Sequence, residues 1–272
     1  MEMYFCPLFS GSSGNALFVQ YGNTRVLIDA GRAGRQIEEA LRSIDVAPET
    51  LSSILITHEH SDHIQGAGVL ARKYHLPLLA TGGTWTAMEG KIGKIPPELR
   101  QEINAGQDFY LGDLGVVPFP IPHDAADPVG FRLYGGSLSV STATDLGQFT
   151  RYVFDQIAGS DLILLESNHD PDLLRANPHY SAQLKARILG DHGHLSNESC
   201  AKALTALIAA GTGAVLLGHL SGENNTPELA REVSVRTLAR EGIEPGRDVR
   251  LDVALRDHVG EIYVIRSREE QS

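Results

Sequence analysis

The sequence predicts an α/β fold arranged as a four-layer αββα sandwich, in which helices cover two sheets. Short apolar runs alternate with stretches of helical period along most of the chain. These units form two βαβ-rich halves, roughly residues 1–130 and 131–272, divided near Gly130. The residues that can bind a metal ion follow predicted strands, which favours a site at one rim of packed sheets.

Length and composition are those of a globular enzyme. The 272 residues are compatible with a single large domain over 1–272, and the hydrophobic fraction of 42% is ordinary. The longest apolar runs are far shorter than a membrane span, and the N-terminus has no signal-peptide core. We therefore expect a cytoplasmic protein without a membrane partner.

The net charge of −11 argues against a protein that coats nucleic acid. It does not exclude a nuclease, because bound divalent metals and a local basic patch can supply positive potential. Two cysteines, Cys6 and Cys200, cannot form a disulfide framework, and we expect both to be buried as small packing residues.

Three predicted strands open the chain, over residues 5–9, 16–21 and 24–29. Gly22-Asn23 between the last two is a hairpin signal. The first turn, Ser10-Gly11-Ser12-Ser13-Gly14-Asn15, is either a flexible turn or a loop whose hydroxyls and backbone N–H groups hold a phosphate. On the second interpretation Ser12, Ser13 and Asn15 are substrate-binding residues.

A histidine-rich stretch follows the next predicted strand. Residues 34–43 form an amphipathic helix, and the apolar residues 53–56 form a short buried strand. Thr57-His58-Glu59-His60-Ser61-Asp62-His63 comes next, and we expect a loop, because a loop lets the four ligand-type side chains converge. Imidazole and carboxylate suit zinc, manganese or iron. The alternative is a polar surface loop that is rich in histidine.

His123 follows a later strand directly. The elements before it are helices over 69–74 and 84–88 and strands over 76–80 and 114–121. Two prolines fix the backbone at the end of the last strand. A lone histidine is more often structural, but a further ligand is needed here to complete a first metal site.

Asp145, Glu166 and His219 stand at strand ends in the second half. A hairpin over 129–134 and 138–142 leads to Asp145, which is a metal ligand or the N-cap of a helix over 148–157. The remaining predicted elements are strands over 161–165 and 214–217, a partly helical stretch over 171–189, a turn over 190–197, helices over 198–210 and 226–240, and strands near 249–253 and 261–265.

The H-x-H-x-D-H pattern of residues 58–63 resembles that of the metallo-β-lactamase-fold hydrolases. The resemblance implies a first metal held by His58, His60 and His123. It implies a second metal held by Asp62, His63 and His219, with Asp145 as the bridging ligand. Asp29 would orient the histidine-rich loop. A hydroxide between two divalent ions, Zn²⁺ or Mn²⁺, would then be the nucleophile at neutral pH.

The segment from Gly193 to His219 is similar to the corresponding region of the transfer-RNA-trimming phosphodiesterases of this fold. There a Glu–His pair shuttles a proton to the leaving oxygen, which makes Glu166 and His194, with Asp62, the expected catalytic residues. The alternative for His194 is a helix-start histidine that donates to a backbone carbonyl. The chain lacks the long arm of those enzymes and the large inserted domain of the β-CASP branch, which disfavours RNA.

The chain resembles the bacterial YycJ/WalJ family from about residue 6 to about residue 265. Four segments carry the resemblance: residues 8–15, 166–170, 193–197 and 218–221. That family implies a metal-dependent 5′→3′ exonuclease acting on double-stranded DNA, with a link to mismatch repair. Asn168 and His169 would contact substrate or brace the second metal, or they form an ordinary turn pair.

Three hypotheses follow. The first is a dinuclear metal-dependent DNA exonuclease, and the second is a small-molecule hydrolase acting on an ester, lactone or thioester with the same metals. The third is a non-enzymatic interaction module, supported only by the acidic surface. The sequence indicates no oligomeric state. DNA binding by so acidic a chain requires seven basic residues to gather on the metal face: Arg72, Lys73, Lys91, Lys94, Arg175, Lys185 and Arg187.

Overall fold

This computed structural model describes residues 1–266, along which strands and helices alternate as an α/β protein. The strands are β1 (Met3–Phe9), β2 (Ala16–Tyr21), β3 (Thr24–Ile28), β4 (Ser53–Leu55), β5 (Leu78–Thr81), β6 (Arg100–Ile103), β7 (Phe109–Leu111), β8 (Leu114–Pro120), β9 (Val129–Gly135), β10 (Leu138–Ala143), β11 (Leu162–Glu166), β12 (Ala214–Gly218), β13 (Arg250–Val253) and β14 (Tyr263–Ile265).

The helices lie mainly where periodicity predicts them. They are α1 (Gly34–Ser43), α2 (Ser61–Ile64), α3 (Ala67–Tyr74), α4 (Gly82–Met88), α5 (Arg151–Ile157), α6 (Pro171–Ala176), α7 (Ala182–Ile188), α8 (Asn197–Ala209) and α9 (Pro227–Arg240). None of the helices in the described part of the chain is long and apolar enough to cross a membrane.

The described residues fall into two compact units. Unit 1 comprises Met1–Pro120, Ala125–Ser139 and the described residues from Leu255 onward. Unit 2 comprises Ile121–Asp124 and Val140–Ala254. The prediction of a single domain halved near Gly130 stays a prediction, and residues 267–272 of that domain lie outside the described residues.

Unit 1 contains a mixed seven-stranded sheet in the order β14-β1-β2-β3-β4-β5-β6. Its first strands pair antiparallel, with Leu17 of β2 opposite Ile28 of β3, whereas β3 to β6 run parallel. The neighbouring strands β3 and β4 therefore end at the same edge of the sheet. This places Asp29, which follows β3, beside Thr57 at the start of the histidine-rich stretch.

The core of unit 1 forms where amphipathic helices cover this sheet. Ile37 and Leu41 of α1 and Leu70 of α3 are fully buried in one apolar cluster with Leu27 and Ile54 of the sheet. Each such side chain contributes about 1.5–3 kcal/mol by leaving water.

Unit 2 contains β10 from Val140 onward and the strands β11, β12 and β13, which pair parallel in that order. The central strands β11 and β12 are apolar and buried on both faces, as parallel strands between helices require. Asp145, Glu166 and His219 all stand at the carboxyl ends of three adjacent strands, so the topology brings them to one edge.

Both cysteines are buried free thiols, which confirms the packing role expected for them. Cys6 lies in β1 of unit 1 and Cys200 in α8 of unit 2. Burial raises the pKa of the Cys6 thiol to about 12 and raises the pKa of Cys200 as well. Neither is therefore a thiolate at neutral pH.

The structure corrects several predicted elements. Residues 57–63 are not wholly a loop, because Ser61–Ile64 forms α2 and His60 is its N-cap residue. The helix expected from residue 148 begins at Arg151, after the cap residue Thr150. Strands β6 and β7 are additions, since exposed polar residues such as those of β6 give no apolar signal.

Candidate metal centre

The histidine-rich stretch of unit 1 turns sharply after β4 and enters α2. His58 and His63 are fully buried, whereas His60 is half-buried and the Asp62 side chain keeps 23% of its surface exposed. The Nε2 atom of His58 lies 3.1 Å from Nδ1 of His60, and the rings of His58 and His63 have centroids 4.0 Å apart. Three imidazoles and a carboxylate are thus brought together within this unit.

Asp29 braces this cluster from the end of β3. Its backbone adopts φ 62°, a left-handed conformation that aspartate tolerates better than most residues. One carboxylate oxygen accepts the Thr57 backbone N–H at 2.8 Å, and the other lies 2.7 Å from Nδ1 of His63. A carboxylate at Nδ1 fixes the tautomer in which Nε2 carries the lone pair, as in metal-ligating histidines.

The turn of residues 10–15 packs on the histidine-rich stretch through Asn15. The Asn15 backbone N–H donates to the Asp62 carbonyl at 2.8 Å, and its side-chain amide lies 3.1 Å from Nε2 of His63. Its amide oxygen accepts the Gly11 N–H at 2.9 Å. Asn15 is nearly fully buried, whereas Ser12 is exposed and Ser13 half-buried. Substrate binding by these three residues stays a prediction.

Unit 2 gathers a second cluster around the buried carboxylate of Glu166. Its Oε1 atom lies 2.8 Å from Nδ1 of His194 and 2.8 Å from Nδ1 of His219. Its Oε2 atom accepts the backbone N–H groups of Leu146, at 2.7 Å, and Leu195, at 3.0 Å. The alternative role of His194 as a histidine bound to a backbone carbonyl gives way to this contact with a carboxylate.

Charge explains why Glu166 remains ionised without solvent. Burial opposes the charged carboxylate, but the charge and hydrogen bond of His194, together with the hydrogen bond of His219, hold the pKa of Glu166 well below its usual range. Burial likewise opposes a charged His194, yet the Glu166 carboxylate raises the pKa of His194. The pair therefore favours a proton on His194.

Asp145 lies within the same cluster and does not cap a helix. Helix α5 begins six residues later and is capped by the Thr150 hydroxyl, which accepts from the Val153 N–H at 3.2 Å. The Oδ1 atom of Asp145 lies 3.5 Å from Nδ1 of His219 and 3.7 Å from Nε2 of His123. Asp145 and His219 both adopt left-handed backbones, with φ 60° and 55°, as Asp29 does. Such conformations cost about 1–3 kcal/mol and concentrate at functional sites.

His123 is oriented from the opposite ring atom. Its Nδ1 atom lies 3.2 Å from the Gly193 carbonyl oxygen, which accepts its proton and leaves the lone pair on Nε2. Burial lowers the pKa of His123, so the ring is neutral at physiological pH. A neutral imidazole is the form that binds a metal ion.

Three asparagines, Asn168, Asn197 and Asn225, are linked by hydrogen bonds around the His219 turn. The side-chain amide of Asn168 donates to the His219 carbonyl at 2.9 Å. Asn225 donates to the backbone carbonyls of Ser167 and Asn168, at 2.8 and 3.1 Å, and its amide oxygen accepts from Asn197 at 2.9 Å. Sequence reasoning missed Asn225, because its contacts are with residues far away in the chain.

His169 is almost fully buried next to Asn168, with 3.3 Å between Nδ1 and the amide oxygen of Asn168. Burial lowers the pKa of His169 to about 4. Contact of Asn168 and His169 with substrate stays a prediction.

The donor chemistry of both units fits a divalent metal. In unit 2, Asp145, Glu166, His194 and His219 each offer one ligand atom, and these atoms lie within 4.8 Å of one another. Unit 1 offers the imidazoles and the carboxylate of residues 58–63. Nitrogen and carboxylate donors without thiolates are typical of catalytic rather than closed structural zinc sites.

Three of the seven basic residues named above are paired with carboxylates. Lys73 lies 2.7 Å from Glu38, Arg175 lies 3.0 Å from Asp172, and Arg187 pairs with Asp124. These pairs reduce the positive charge available to a nucleic acid. That the seven gather on the metal face stays a prediction.

Comparison with known proteins adds family information. A model of the Beta-lactamase superfamily domain matches residues 24–220. The chain is 42% identical over 250 residues to the exodeoxyribonuclease WalJ of Streptococcus pneumoniae, covering 90% of this chain and 91% of the relative. It is 39% identical over 246 residues to the exodeoxyribonuclease YycJ of Bacillus anthracis, covering 90% and 93%.

A solved structure is similar over nearly the whole length. The metallo-β-lactamase fold protein YhfI of Bacillus subtilis matches with a TM-score of 0.72 at 16% identity, covering 97% of this chain and all of that one. Because the sequence identity is only 16%, this similarity is evidence for the fold and not for the function. It confirms the predicted α/β sandwich of the metallo-β-lactamase type.

Proposed function

The chain belongs to the beta-lactamase superfamily and is a metal-dependent hydrolase, and we propose that it is an exonuclease that degrades double-stranded DNA from the 5′ end. The observation that carries the proposal is the identity of 42% to an exodeoxyribonuclease over 90% of the chain. The two braced clusters described above support it, because they supply the residues that such a reaction needs. A phosphodiester of DNA is the proposed substrate bond.

We place two divalent ions, Zn²⁺ or Mn²⁺, on the seven predicted ligands. His58, His60 and His123 would hold one ion, Asp62, His63 and His219 the other, and Asp145 would bridge them. The donor types and the bracing of His63, His123 and His219 through Nδ1 support this assignment. Such ions, when bound, supply an acidified water and positive charge beside a phosphate oxygen.

His194 is the proposed general acid. Glu166 holds its Nδ1 atom at 2.8 Å and raises the pKa of His194, which favours the protonated ring. That proton can pass to the oxygen that leaves when the phosphodiester is cleaved. Asp62 would position the attacking water from its place in α2.

Cellular context follows from the proposed substrate. Chromosomal DNA would place the protein in the cytoplasm. An exonuclease of this polarity would serve DNA repair, including removal of a mismatched strand.

A nuclease assay tests the proposal. The protein, stripped of metal and supplied with Mn²⁺, is incubated with duplex DNA labelled at the 5′ end. We expect release of labelled mononucleotides, loss of most of this activity in His58→Ala, and no change in His179→Ala, whose side chain is exposed. Turnover of ester, lactone or thioester substrates with the DNA intact would contradict the proposal and favour a small-molecule hydrolase.

A further inference from the structure

Two arginines and a serine of unit 1 surround one carboxylate outside the histidine-rich stretch. The Ser13 hydroxyl accepts a hydrogen bond from Nη2 of Arg32 at 2.7 Å and lies 3.3 Å from Nη2 of Arg256. It donates to Oδ1 of Asp257 at 3.3 Å. Arg32 pairs with the same oxygen, and Nε of Arg256 lies 3.8 Å from the other. Three donor groups therefore converge on one anion.

Arg32 is held in place by its neighbours. Its guanidinium carbon lies 5.3 Å from the centroid of the buried Phe9 ring, and Nη2 donates to the Arg256 carbonyl at 3.3 Å. A Cβ atom at Gly14 would lie 2.6 Å from the Arg32 side chain. Glycine at this position thus lets the turn of residues 10–15 lie directly on the arginine.

This group has more donors and more positive charge than Asp257 can satisfy. Two guanidinium groups face one carboxylate, and the Nε atoms of Arg32 and Arg256 are buried without a hydrogen-bond acceptor among residues 1–266. A buried donor without an acceptor needs a physical explanation, and a bound anion is one that fits two guanidinium groups. Phosphate, with up to two charges and several acceptor oxygens, matches paired arginines better than one carboxylate does.

The group is joined to the histidine-rich stretch by backbone contacts. Asn15 N–H donates to the Asp62 carbonyl, and Gly31 N–H donates to the Asn15 carbonyl at 2.7 Å. A Cβ atom at Gly31 would lie 1.6 Å from the Asp62 carbonyl oxygen. Residues close to Ser13 and next to Arg32 therefore touch the backbone that carries the metal ligands.

We propose that Ser13, Arg32 and Arg256 form an anion cradle for a phosphate of the DNA substrate, in which Asp257 holds the anion position until that phosphate replaces it. The inference rests on the proposed function and names the residues that recognise its substrate. Asp257 can leave, because its side chain is 56% exposed and lies in an irregular segment. The phosphate is either the 5′-terminal group or an internal phosphodiester.

Binding without cleavage tests the anion cradle. Fluorescence anisotropy in EDTA measures the affinity for duplexes that carry a 5′-phosphate or a 5′-hydroxyl group. Arg256→Ala should weaken binding about tenfold, since it removes charge-assisted hydrogen bonds to phosphate. Asp257→Asn should tighten binding several-fold, because it removes the competing anion.

The exposed pair Arg35–Glu39 provides matched controls in the same unit. Arg35→Ala and Glu39→Gln change net charge by the same amounts, and both should leave the affinity unchanged. A greater loss on the 5′-phosphorylated duplex in Arg256→Ala identifies the terminal phosphate as the ligand. An equal loss on both duplexes identifies an internal phosphodiester.

The gain in Asp257→Asn decides the outcome, because a folding defect cannot produce tighter binding. If Asp257→Asn binds no more tightly than Glu39→Gln, the anion cradle is wrong, even if the wild-type protein binds and cleaves DNA. A wild-type protein that binds neither duplex would overturn the cradle and the proposed function together.

Discussion

The two clusters of candidate ligands are built in different ways. Unit 1 takes four of them from six consecutive residues, and Asp29 and Asn15 hold that stretch from outside it. Unit 2 takes His123, Asp145 and His219 from distant places in the chain and arranges Asp145 and His219 around Glu166. A local cluster depends on the backbone turn, whereas an assembled cluster depends on a buried electrostatic centre. Substitutions in the unit 1 cluster should therefore reduce activity but not stability. Substitutions in the unit 2 cluster should reduce both.

Removal of Glu166 gives the largest expected effect. Glu166→Ala leaves two histidines and two backbone N–H groups without their acceptor, which should lower the free energy of unfolding by about 3–5 kcal/mol. Urea titration of the metal-free protein measures it. The exposed variant Glu241→Gln should stay within about 0.5 kcal/mol of wild type. A loss as small as that of the control would show that Glu166 is not the centre of unit 2.

Asp29→Asn tests the bracing of unit 1. Asparagine tolerates the left-handed backbone but cannot supply the negative charge at Nδ1 of His63, so metal affinity should fall about 10–100-fold. Competition with a fluorescent chelator measures that affinity. Asp45→Asn is the matched control, because Asp45 is exposed and has φ 59°. Equal affinities in the two variants would contradict a role for Asp29.

The pH dependence of the His194–Glu166 pair provides a smaller effect. In metal-free protein the pKa of His194 should lie above its ordinary value, and Glu166→Gln should lower it. Proton NMR of the ring measures both values.

The pH dependence of stability follows from the directions in which folding shifts the pKa values of His194 and Glu166. Because the pKa of His194 is raised by folding, its contribution to stability is full below the unfolded pKa of about 6.5 and is lost as the pH rises through the folded value. Because the pKa of Glu166 is lowered, its contribution is full above the unfolded value and is lost as the pH falls through the folded one. A wild-type His194 that titrates below about 6.5 would contradict the ion pair.

His60→Ser should have the smallest effect on stability. It should raise the free energy of unfolding, whereas Glu166→Ala lowers it. His60 is the N-cap residue of α2 but makes no side-chain cap, whereas serine is a strong cap, so stability should rise by about 0.5–1 kcal/mol in the metal-free protein. His60→Ala, which cannot cap, is the control in the same urea titration. Nuclease activity should be lost in both variants. If His60→Ser is less stable than wild type, the histidine cluster of unit 1 also contributes to the stability of the fold.

Sequence reasoning located most of both clusters, for reasons that differ. Residues 58–63 were found because four ligand types crowd a short stretch after an apolar strand. His123, Asp145 and His219 were found through strand ends and a family resemblance. The helix α2 was missed, because it is only four residues long and mostly polar, so it has no apolar periodicity. Asn225 and the partners of Ser13 were missed because they act through contacts with distant residues.

By itself the sequence determined most of the strands and helices, the buried strands and which residues are candidate ligands, since hydrophobic periodicity and side-chain chemistry are local properties. Only the tertiary structure decided that one carboxylate, Glu166, accepts from two histidines and two backbone N–H groups, and that Asp257 sits between Arg32 and Arg256. The physical reason is that such contacts require strand ends and turns, remote in the chain, to meet where water is excluded. In such a place an ionisable group stays charged only if it is paired or hydrogen-bonded, and otherwise becomes neutral.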